Sequence, residues 1–136
     1  NGPSCDDEIN LVLPGFNYGW DVDYPCYGLD LIPGMADYMP PLLSFTPTVG
    51  ISGIIFYDHD AIPEWENDLF FCNWTFGELY RAELDETRSQ VDAVHLVDLG
   101  DASCKIDITV GPEGGLYFGS VGEGNGYIYR LLPADS

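Results

Sequence analysis

From Gly53 onwards the chain is a succession of short segments that alternate apolar or β-branched residues with polar ones and are separated by tight turns. Such alternation is typical of half-buried β-strands, and no stretch of useful length has the period of an amphipathic helix. The turns carry Gly, Pro, Asp and Asn, which suit hairpin connections. The sequence therefore predicts an all-β protein. The predicted strands cover residues 42–45, 53–57, 68–73, 78–85, 91–99, 105–110, 116–120 and 127–132.

The number of strands divides this region into two sheets. Residues 49–100 supply four strands joined by short turns, which is the content of one β-propeller blade, whereas residues 101–136 supply only three. An open blade leaves an unpaired strand edge, which natural β proteins avoid. We therefore expect residues 1–136 to be the C-terminal part of a single propeller domain. Its last, incomplete blade would be completed by upstream sequence or by a partner chain.

Three consecutive acidic residues, Asp6, Asp7 and Glu8, stand between a Gly-Pro turn and the apolar run at 9–13. A solvated acidic turn is one interpretation, since charged runs usually face water. The other is a kinked loop that presents carboxylate and backbone carbonyl oxygens to a hard cation such as calcium. The segment at 21–48 is rich in Pro, Gly, Asp and Tyr and is predicted to be mainly a long loop.

The charge balance excludes two classes of partner. The chain of 136 residues carries 23 acidic residues against four basic ones, a formal net charge of −19 at pH 7. A surface of this sign repels nucleic-acid phosphates and anionic lipids, so we expect no nucleic acid and no membrane surface as partners.

The cysteines and one sequon bear on the compartment. The four cysteines lack the short paired spacings of a zinc site and allow three disulfide pairings. Among these we favour Cys5 with Cys26, because that bond would tie the acidic loop to the segment after Trp20. Asn73 begins an N-glycosylation acceptor sequence, Asn-Trp-Thr. The even cysteine count, the scarcity of lysine and this sequon favour an extracellular or periplasmic location.

Several short motifs occur in the order and spacing of the glucose/sorbosone dehydrogenase family, and the chain resembles that family apart from a divergent loop at 21–41. The resemblance implies a soluble six-bladed β-propeller, of which this chain would form about two blades of four-stranded antiparallel sheet. Enzymes of the family oxidise sugars with pyrroloquinoline quinone (PQQ). The motifs are Asp7-Glu8-Ile9-Asn10, Asn17-Tyr18-Gly19-Trp20, Pro63-Glu64-Trp65-Glu66-Asn67, Gly111-Pro112-Glu113-Gly114 before Leu116-Tyr117, and residues 126–130.

The resemblance also implies roles for residues before position 49. The backbone carbonyls of Gly2 and Pro3 match those that face a calcium ion, which in the enzymes also holds the quinone. Glu8 and the carbonyl of Tyr18 match ligands of a second, structural calcium, so residues 1–20 form the expected calcium loop. Thr48 matches a threonine that lines the cofactor pocket. The catalytic histidine and its aspartate are expected upstream, and no catalytic residue is predicted within this chain.

The residues that would meet the negative charge of the quinone depart from the family. The enzymes use a lysine and two arginines, and the matching positions here hold Thr75, Cys104 and Ile106. An anionic tricarboxylate needs cationic partners to offset its charge and its desolvation. With Lys105 as the nearest cation, the sequence predicts weak PQQ binding, while calcium remains expected.

The two histidines are further candidates for acid–base chemistry. His59 lies between Asp58 and Asp60, which suits proton transfer or metal binding, but its place at a hairpin tip favours a solvated turn. His95 alternates with apolar residues and is predicted to be a partly buried packing residue. The sequence contains no phosphate loop, dinucleotide fingerprint or nucleophile elbow.

Two functions follow. The first is a secreted, calcium-dependent sugar or alcohol dehydrogenase that oxidises a hydroxyl group with hydride transfer to PQQ. The second is a catalytically lapsed extracellular binding or structural propeller that keeps calcium but not the quinone. Family membership favours the first, and the missing cations favour the second. The expected partners are the remainder of the propeller or further chains that complete the ring, and a sugar or glycan.

Overall fold

The computed structural model describes residues 2–19, 26 and 37–134. The chain forms two compact units, Asn1–Thr48 and Val49–Ser136. The described residues are all-β, as predicted, with antiparallel sheets, one 3₁₀ turn at Pro63–Trp65 and no α-helix. In this part of the chain, no helix has the length and apolar character needed to cross a membrane.

In the first unit, strands β1 (Asp7–Ile9) and β2 (Leu43–Phe45) form an antiparallel pair. Successive residues of a strand point to opposite faces, and here Asp7 is completely buried while Glu8 is half-buried. The interpretation of the acidic triplet as a solvated turn is therefore wrong for Asp7.

The predicted loop at 21–48 can be followed only near its end, because residues 20–25 and 27–36 lie outside the described residues. The short strand predicted at 42–45 is confirmed as β2. The Asn17 N–H donates to the Asp37 carbonyl (2.8 Å), and the Met39 N–H donates to the Asn17 carbonyl (2.9 Å). The chain around Asn17 is thereby held against the stretch that leads into β2.

The second unit contains a four-stranded antiparallel sheet in the order β3-β4-β5-β6. The four strands predicted between residues 49 and 100 are confirmed, with small shifts at their ends. Every residue of β4 is buried, as expected of a strand covered on both faces. The strands are β3 (Ile51–Phe56), β4 (Leu69–Asn73), β5 (Leu79–Leu84) and β6 (Val91–Val97).

A three-stranded antiparallel sheet follows, with β7 (Ile108–Val110), β8 (Leu116–Gly122) and β9 (Asn125–Leu131) in sequence order. All three strands were predicted, but β7 begins at Ile108 rather than at residue 105. The N–H groups of Lys105 and Ile106 both donate to the Gly119 carbonyl, at 2.9 and 3.1 Å. Successive donors on one acceptor cannot continue the alternating pattern of an antiparallel ladder, so the strand starts after them.

The two sheets of the second unit share one hydrophobic core. A disulfide joins Cys72 of β4 to Cys104, with the Cα atoms 5.2 Å apart. The Tyr57 hydroxyl donates a buried hydrogen bond of 2.7 Å to a carbonyl in the β7–β8 turn. A Cβ added to Gly53 would lie 2.6 Å from the Cα of Asp107, so β3 approaches the segment before β7 this closely only because residue 53 is glycine. The buried core residues are Tyr57, Ile62, Phe70, Cys72, Leu79, Cys104, Ile108, Leu116 and Phe118.

Candidate functional site

The predicted calcium loop is closed by a buried carboxylate. The Gly2 N–H donates to Asp7 Oδ1 at 2.9 Å, and the Asp7 side chain has no exposed surface. A Cβ added to Gly2 would overlap the carbonyl oxygen of Cys5 and lie 3.2 Å from that of Asp6. Only glycine fits this turn, which packs carboxylate and carbonyl oxygens close together.

Asp6 also holds the loop. It has a positive φ of 55°, its N–H donates to Thr46 Oγ1 (3.0 Å), and its Oδ1 accepts from Ser44 Oγ (3.0 Å) and Thr46 Oγ1 (3.2 Å). Asp6 and Asp7 are thus engaged by donors of the protein itself. Glu8 is the acidic residue of the triplet that the resemblance matches to a calcium ligand.

Glu8 is half-buried and has one described side-chain donor: Asn10 Nδ2 donates to Glu8 Oε2 at 3.2 Å. Burial raises the pKa of Glu8 above its ordinary value, and the negative charge of Asp6 adds to this rise, whereas the bond from Asn10 opposes it. Burial disfavours the charged form of this carboxyl, and a cation bound beside it would favour that form.

The residues present fit a hard cation at this place. The Oδ1 atom of Asn10 is buried and has no hydrogen-bond partner among residues 2–19, 26 and 37–134. Amide and carboxylate oxygens are the ligands that calcium prefers. Within the same ranges no three His, Cys, Asp or Glu side chains converge as a metal cluster. A cation beside Glu8 would therefore also need carbonyl and amide oxygens.

Tyr18 is positioned by its side chain. Its hydroxyl donates to the Leu11 carbonyl at 2.9 Å and accepts from the Leu13 N–H at 2.6 Å. The side-chain oxygen of Asn17 accepts from the Gly19 N–H at 2.8 Å, which shapes the backbone on either side of Tyr18. These bonds bring the turn that contains the Tyr18 carbonyl next to the stretch that follows Glu8 and β1.

The other expected residues of the loop lie in the same unit. Pro3 is exposed, and Thr48 is half-buried at the end of the unit. Cys5 is buried and forms a disulfide with Cys26, with a Cα–Cα distance of 5.6 Å, which is the pairing that the sequence favoured. The metal and cofactor roles of Gly2, Pro3, Glu8, Tyr18 and Thr48 stay predictions.

The three positions matched to the quinone's cationic contacts do not form a cationic cradle. Thr75 is exposed and neutral, and Ile106 is an apolar side chain with 47% of its surface exposed. Cys104 is completely buried and bonded to Cys72, so its side chain is out of reach of a ligand. Lys105 is half-buried, and its side chain packs along the turn at Gly77.

The three arginines have other partners. Arg81 pairs with Asp68 (2.5 Å) and Glu83 (2.8 Å), Arg88 bonds to Asn67, and Arg130 lies 3.9 Å from Glu113. Together with Lys105 they are all the basic residues of the chain. The residues of this chain therefore do not fit an anionic tricarboxylate.

The two histidines differ from the predictions to different degrees. His59 lies in a connecting segment, as predicted, but is only partly solvated: its Nδ1 accepts from the Ala61 N–H at 3.0 Å, and its Nε2 lies 3.2 Å from the Pro112 carbonyl. It thus links two turns. The prediction for His95 is wrong, because its side chain is exposed rather than packed, as are the neighbouring residues of β6. Its Nε2 lies 2.9 Å from Glu83 Oε1.

The expected glycosylation site, Asn73, is completely buried. Its Oδ1 accepts from the N–H groups of Phe76 (2.8 Å) and Gly77 (3.1 Å), and its Nδ2 donates to Glu78 Oε2 (2.8 Å). With every polar atom of the side chain engaged, the structure argues against a glycan on Asn73 in the folded protein.

Two polar groupings were missed by the sequence analysis. Asn10 carries the buried oxygen beside Glu8, and the signal was their spacing of two, which places both on one face of an extended chain. The second grouping joins Asn73 and Tyr80 through Glu78, with the Tyr80 hydroxyl donating to Glu78 Oε2 at 2.6 Å. Burial, aided by this bond and by the Glu78 charge, raises the pKa of Tyr80 to about 12. No local pattern marks that grouping.

Residues 1–130 match the family model described as Glucose / Sorbosone dehydrogenase. The chain is 30% identical over 140 residues to the uncharacterized protein slr1608 of Synechocystis sp., covering 96% of this chain and 32% of that protein. It is 26% identical to the aldose sugar dehydrogenase YliI of Escherichia coli, covering 98% of this chain and 37% of that protein. The chain thus spans about a third of the length of the curated relatives it matches.

The chain is also similar to solved structures of sugar dehydrogenases. A glucose dehydrogenase superposes with a TM-score of 0.78 at 29% identity, over 100% of this chain and 39% of that one. The soluble aldose sugar dehydrogenase (Asd) from Escherichia coli in the apo-form superposes with a TM-score of 0.72 at 26% identity, over 98% of this chain and 40% of that one. The predicted fold class, part of a β-propeller built from antiparallel sheets, is confirmed.

Proposed function

Because the chain belongs to the glucose/sorbosone dehydrogenase family, we propose that it forms part of a secreted, calcium-dependent dehydrogenase. The substrate would be a hydroxyl group of a sugar or alcohol. The observation that carries this proposal is the similarity over residues 1–130, which includes the oxygen-rich loop as well as both sheets. Since the chain spans about a third of its relatives, the activity belongs to the whole protein, with the catalytic base supplied by another part of it.

The proposed task of this chain is to hold calcium. The Glu8 carboxylate and the Tyr18 carbonyl would bind a structural ion, and the carbonyls of Gly2 and Pro3 would face the ion that borders the cofactor. Bound calcium supplies a fixed positive charge and Lewis acidity. Asp7 supports this arrangement by accepting from the Gly2 N–H, which keeps the turn closed.

The cofactor itself fits this chain poorly. PQQ is the cofactor that the resemblance implies, but Thr75, Ile106 and the disulfide-bonded Cys104 offer it no positive charge. We propose that Lys105 is the one residue of this chain that offers its carboxylates a positive charge, so that PQQ binds only weakly.

Location and partners are part of the same proposal. Two disulfides, Cys5–Cys26 and Cys72–Cys104, are typical of an oxidising compartment, which supports a periplasmic or extracellular location. Strand β9 stands at the end of its sheet. We propose that the remainder of the propeller, or a further chain, pairs with that sheet and completes the ring.

The second candidate function is a binding or structural propeller that has lost the quinone. The burial of Cys104 in a disulfide is the observation that favours it. The position that holds an arginine in the enzymes is here part of a covalent link in the core and offers the quinone no positive charge. Such a protein would keep the calcium loop and engage a glycan or another protein.

Removing calcium is expected to lower the melting temperature of the complete protein by at least a few degrees. An ion that binds only the folded state stabilises it by about 2.7 kcal/mol when its concentration is 100 times the dissociation constant. The measurement is a thermal melt with chelator, followed by restoration with excess calcium. Glu8→Gln should abolish the calcium-dependent part of the shift, whereas Glu123→Gln, a change of an exposed residue in the β8–β9 turn, should retain it. Equal shifts in both variants would refute the assignment of Glu8.

A quinone titration separates the two candidate functions. We expect PQQ to bind the complete, calcium-loaded protein only weakly, because three cationic positions of the family are neutral here. Lys105→Ala should weaken binding further, as it removes the one nearby cation. Calorimetry that shows tight binding, unaffected by Lys105→Ala, would mean that the charge of the quinone is met elsewhere and would rule out the lapsed propeller.

A further inference from the structure

The amide group of Asn10 has one polar atom with a hydrogen-bond partner and one without. Its Nδ2 donates to Glu8 Oε2 at 3.2 Å, and its Oδ1 is buried without a hydrogen-bond partner in the described parts of the chain. The great majority of buried polar atoms are satisfied in folded proteins, since an unpaired one retains the cost of its lost hydration. A hydrogen-bond donor or a cation beside the buried oxygen would therefore lower its free energy.

The surroundings of this oxygen narrow the choice of partner. Asn10 Nδ2 contacts the Glu8 carboxylate, and Asp6 lies two residues before Glu8, so the acidic side chains around this amide favour a cation over an anion as the partner. Two donors of the loop are used elsewhere, because the Gly2 N–H bonds to Asp7 and the Asp6 N–H bonds to Thr46. An ion would satisfy the Glu8 carboxylate and the Asn10 oxygen together.

The orientation of the amide suits this role. The Nδ2 atom of the amide donates to the Glu8 carboxylate, and the Oδ1 atom belongs to the same small planar group. Two ligands of one calcium ion lie at most about 5 Å apart, twice the usual distance from calcium to oxygen. The opposite orientation of the amide would set its oxygen against the carboxylate and is excluded by repulsion.

We propose that Asn10 supplies its side-chain oxygen as a direct ligand of the calcium ion held by Glu8 and the Tyr18 carbonyl. The same residue orients the Glu8 carboxylate through the hydrogen bond that its Nδ2 atom donates. This inference rests on the calcium site proposed above and adds a side chain that no part of that proposal requires.

The test uses the complete protein and two readouts that do not depend on activity. Calcium affinity is measured by calorimetry, and terbium, bound in place of calcium, reports the number of coordinated waters through its luminescence lifetimes in H₂O and D₂O. Asn10→Ala is expected to weaken calcium binding by about 10- to 100-fold and to add one water to bound terbium. Asn10→Asp keeps a side-chain oxygen and should keep the wild-type water number. Asn125→Ala, a change of an exposed residue at the start of β9, is the matched control and should alter neither value.

The outcomes distinguish failure of the inference from failure of the calcium site. If wild type binds no calcium, the proposed function loses its metal site and this inference falls with it. If wild type binds calcium and Asn10→Ala binds it equally well with the same water number, the buried oxygen is satisfied by water and only the inference is overturned. If both Asn10 variants bind weakly with an unchanged water number, Asn10 acts only through Glu8 and direct ligation is refuted. Should Asn10→Ala fail to fold, the water number of Asn10→Asp decides, because a gain of one water would likewise refute ligation.

Discussion

Replacing Cys72 and Cys104 together by alanine is expected to lower the free energy of unfolding by about 4 kcal/mol. The bond joins residues 32 apart in sequence, and both cysteines are completely buried. Losing the bond raises the conformational entropy of the unfolded chain, and it also removes sulfur atoms from the core where the two sheets meet. Both effects destabilise the folded protein. Denaturant unfolding of the complete protein, read out by fluorescence, measures the loss.

Amide hydrogen exchange supplies the control for this prediction. Without the Cys72–Cys104 bond, the amides of β4 and β8 should exchange much faster, because these strands supply the core next to it. Removing Cys5 and Cys26 deletes a disulfide of the first unit and should leave the protection of β4 and β8 unchanged. Equal loss of protection in both double variants would contradict the local role of the buried bond.

Asn73→Ala is expected to lower the free energy of unfolding by about 3 kcal/mol, a loss typical of breaking a buried hydrogen-bond network. The substitution leaves the N–H groups of Phe76 and Gly77 without their side-chain acceptor. It also removes the donor at 2.8 Å from Glu78, in the turn that joins β4 to β5. Chemical denaturation of the complete protein checks the magnitude.

Thr75→Ala is the matched control for Asn73→Ala, because both substitutions destroy the glycosylation sequon. Thr75 is exposed, so its replacement should change stability by no more than about 0.5 kcal/mol. Mass spectrometry of protein from a glycosylating host should find no glycan on Asn73. A glycan on Asn73 would contradict the inference that this side chain is inaccessible. Equal destabilisation by both variants would contradict the role of the buried hydrogen-bond network.

The strands and the family were predictable because their signals are local. Alternation in segments such as β5 and β8, together with Gly-rich turns, predicts antiparallel strands whatever surrounds them. The start of β7 was not predictable in this way. It depends on Lys105 and Ile106 sharing one acceptor, Gly119, which lies on another strand.

The candidate site was predictable in part. The motifs around Glu8 and Tyr18 led to the correct family, and Cys5 was paired with Cys26 in advance. The structure then added what spacing does not contain: the buried oxygen of Asn10 and the engagement of Asp6 and Asp7 within the loop.

The amino-acid sequence by itself determined an acidic, all-β member of a propeller family, since strand period, turn chemistry and ordered motifs are properties of neighbouring residues. Only the tertiary structure decided which polar groups are buried and what they contact. Asn73 changed from an expected glycan acceptor to a turn-forming residue, and His95 from a packed residue to an exposed one. The physical reason is that burial is created by segments distant in sequence, and the free energy of a polar atom depends on whether that packing leaves it a partner.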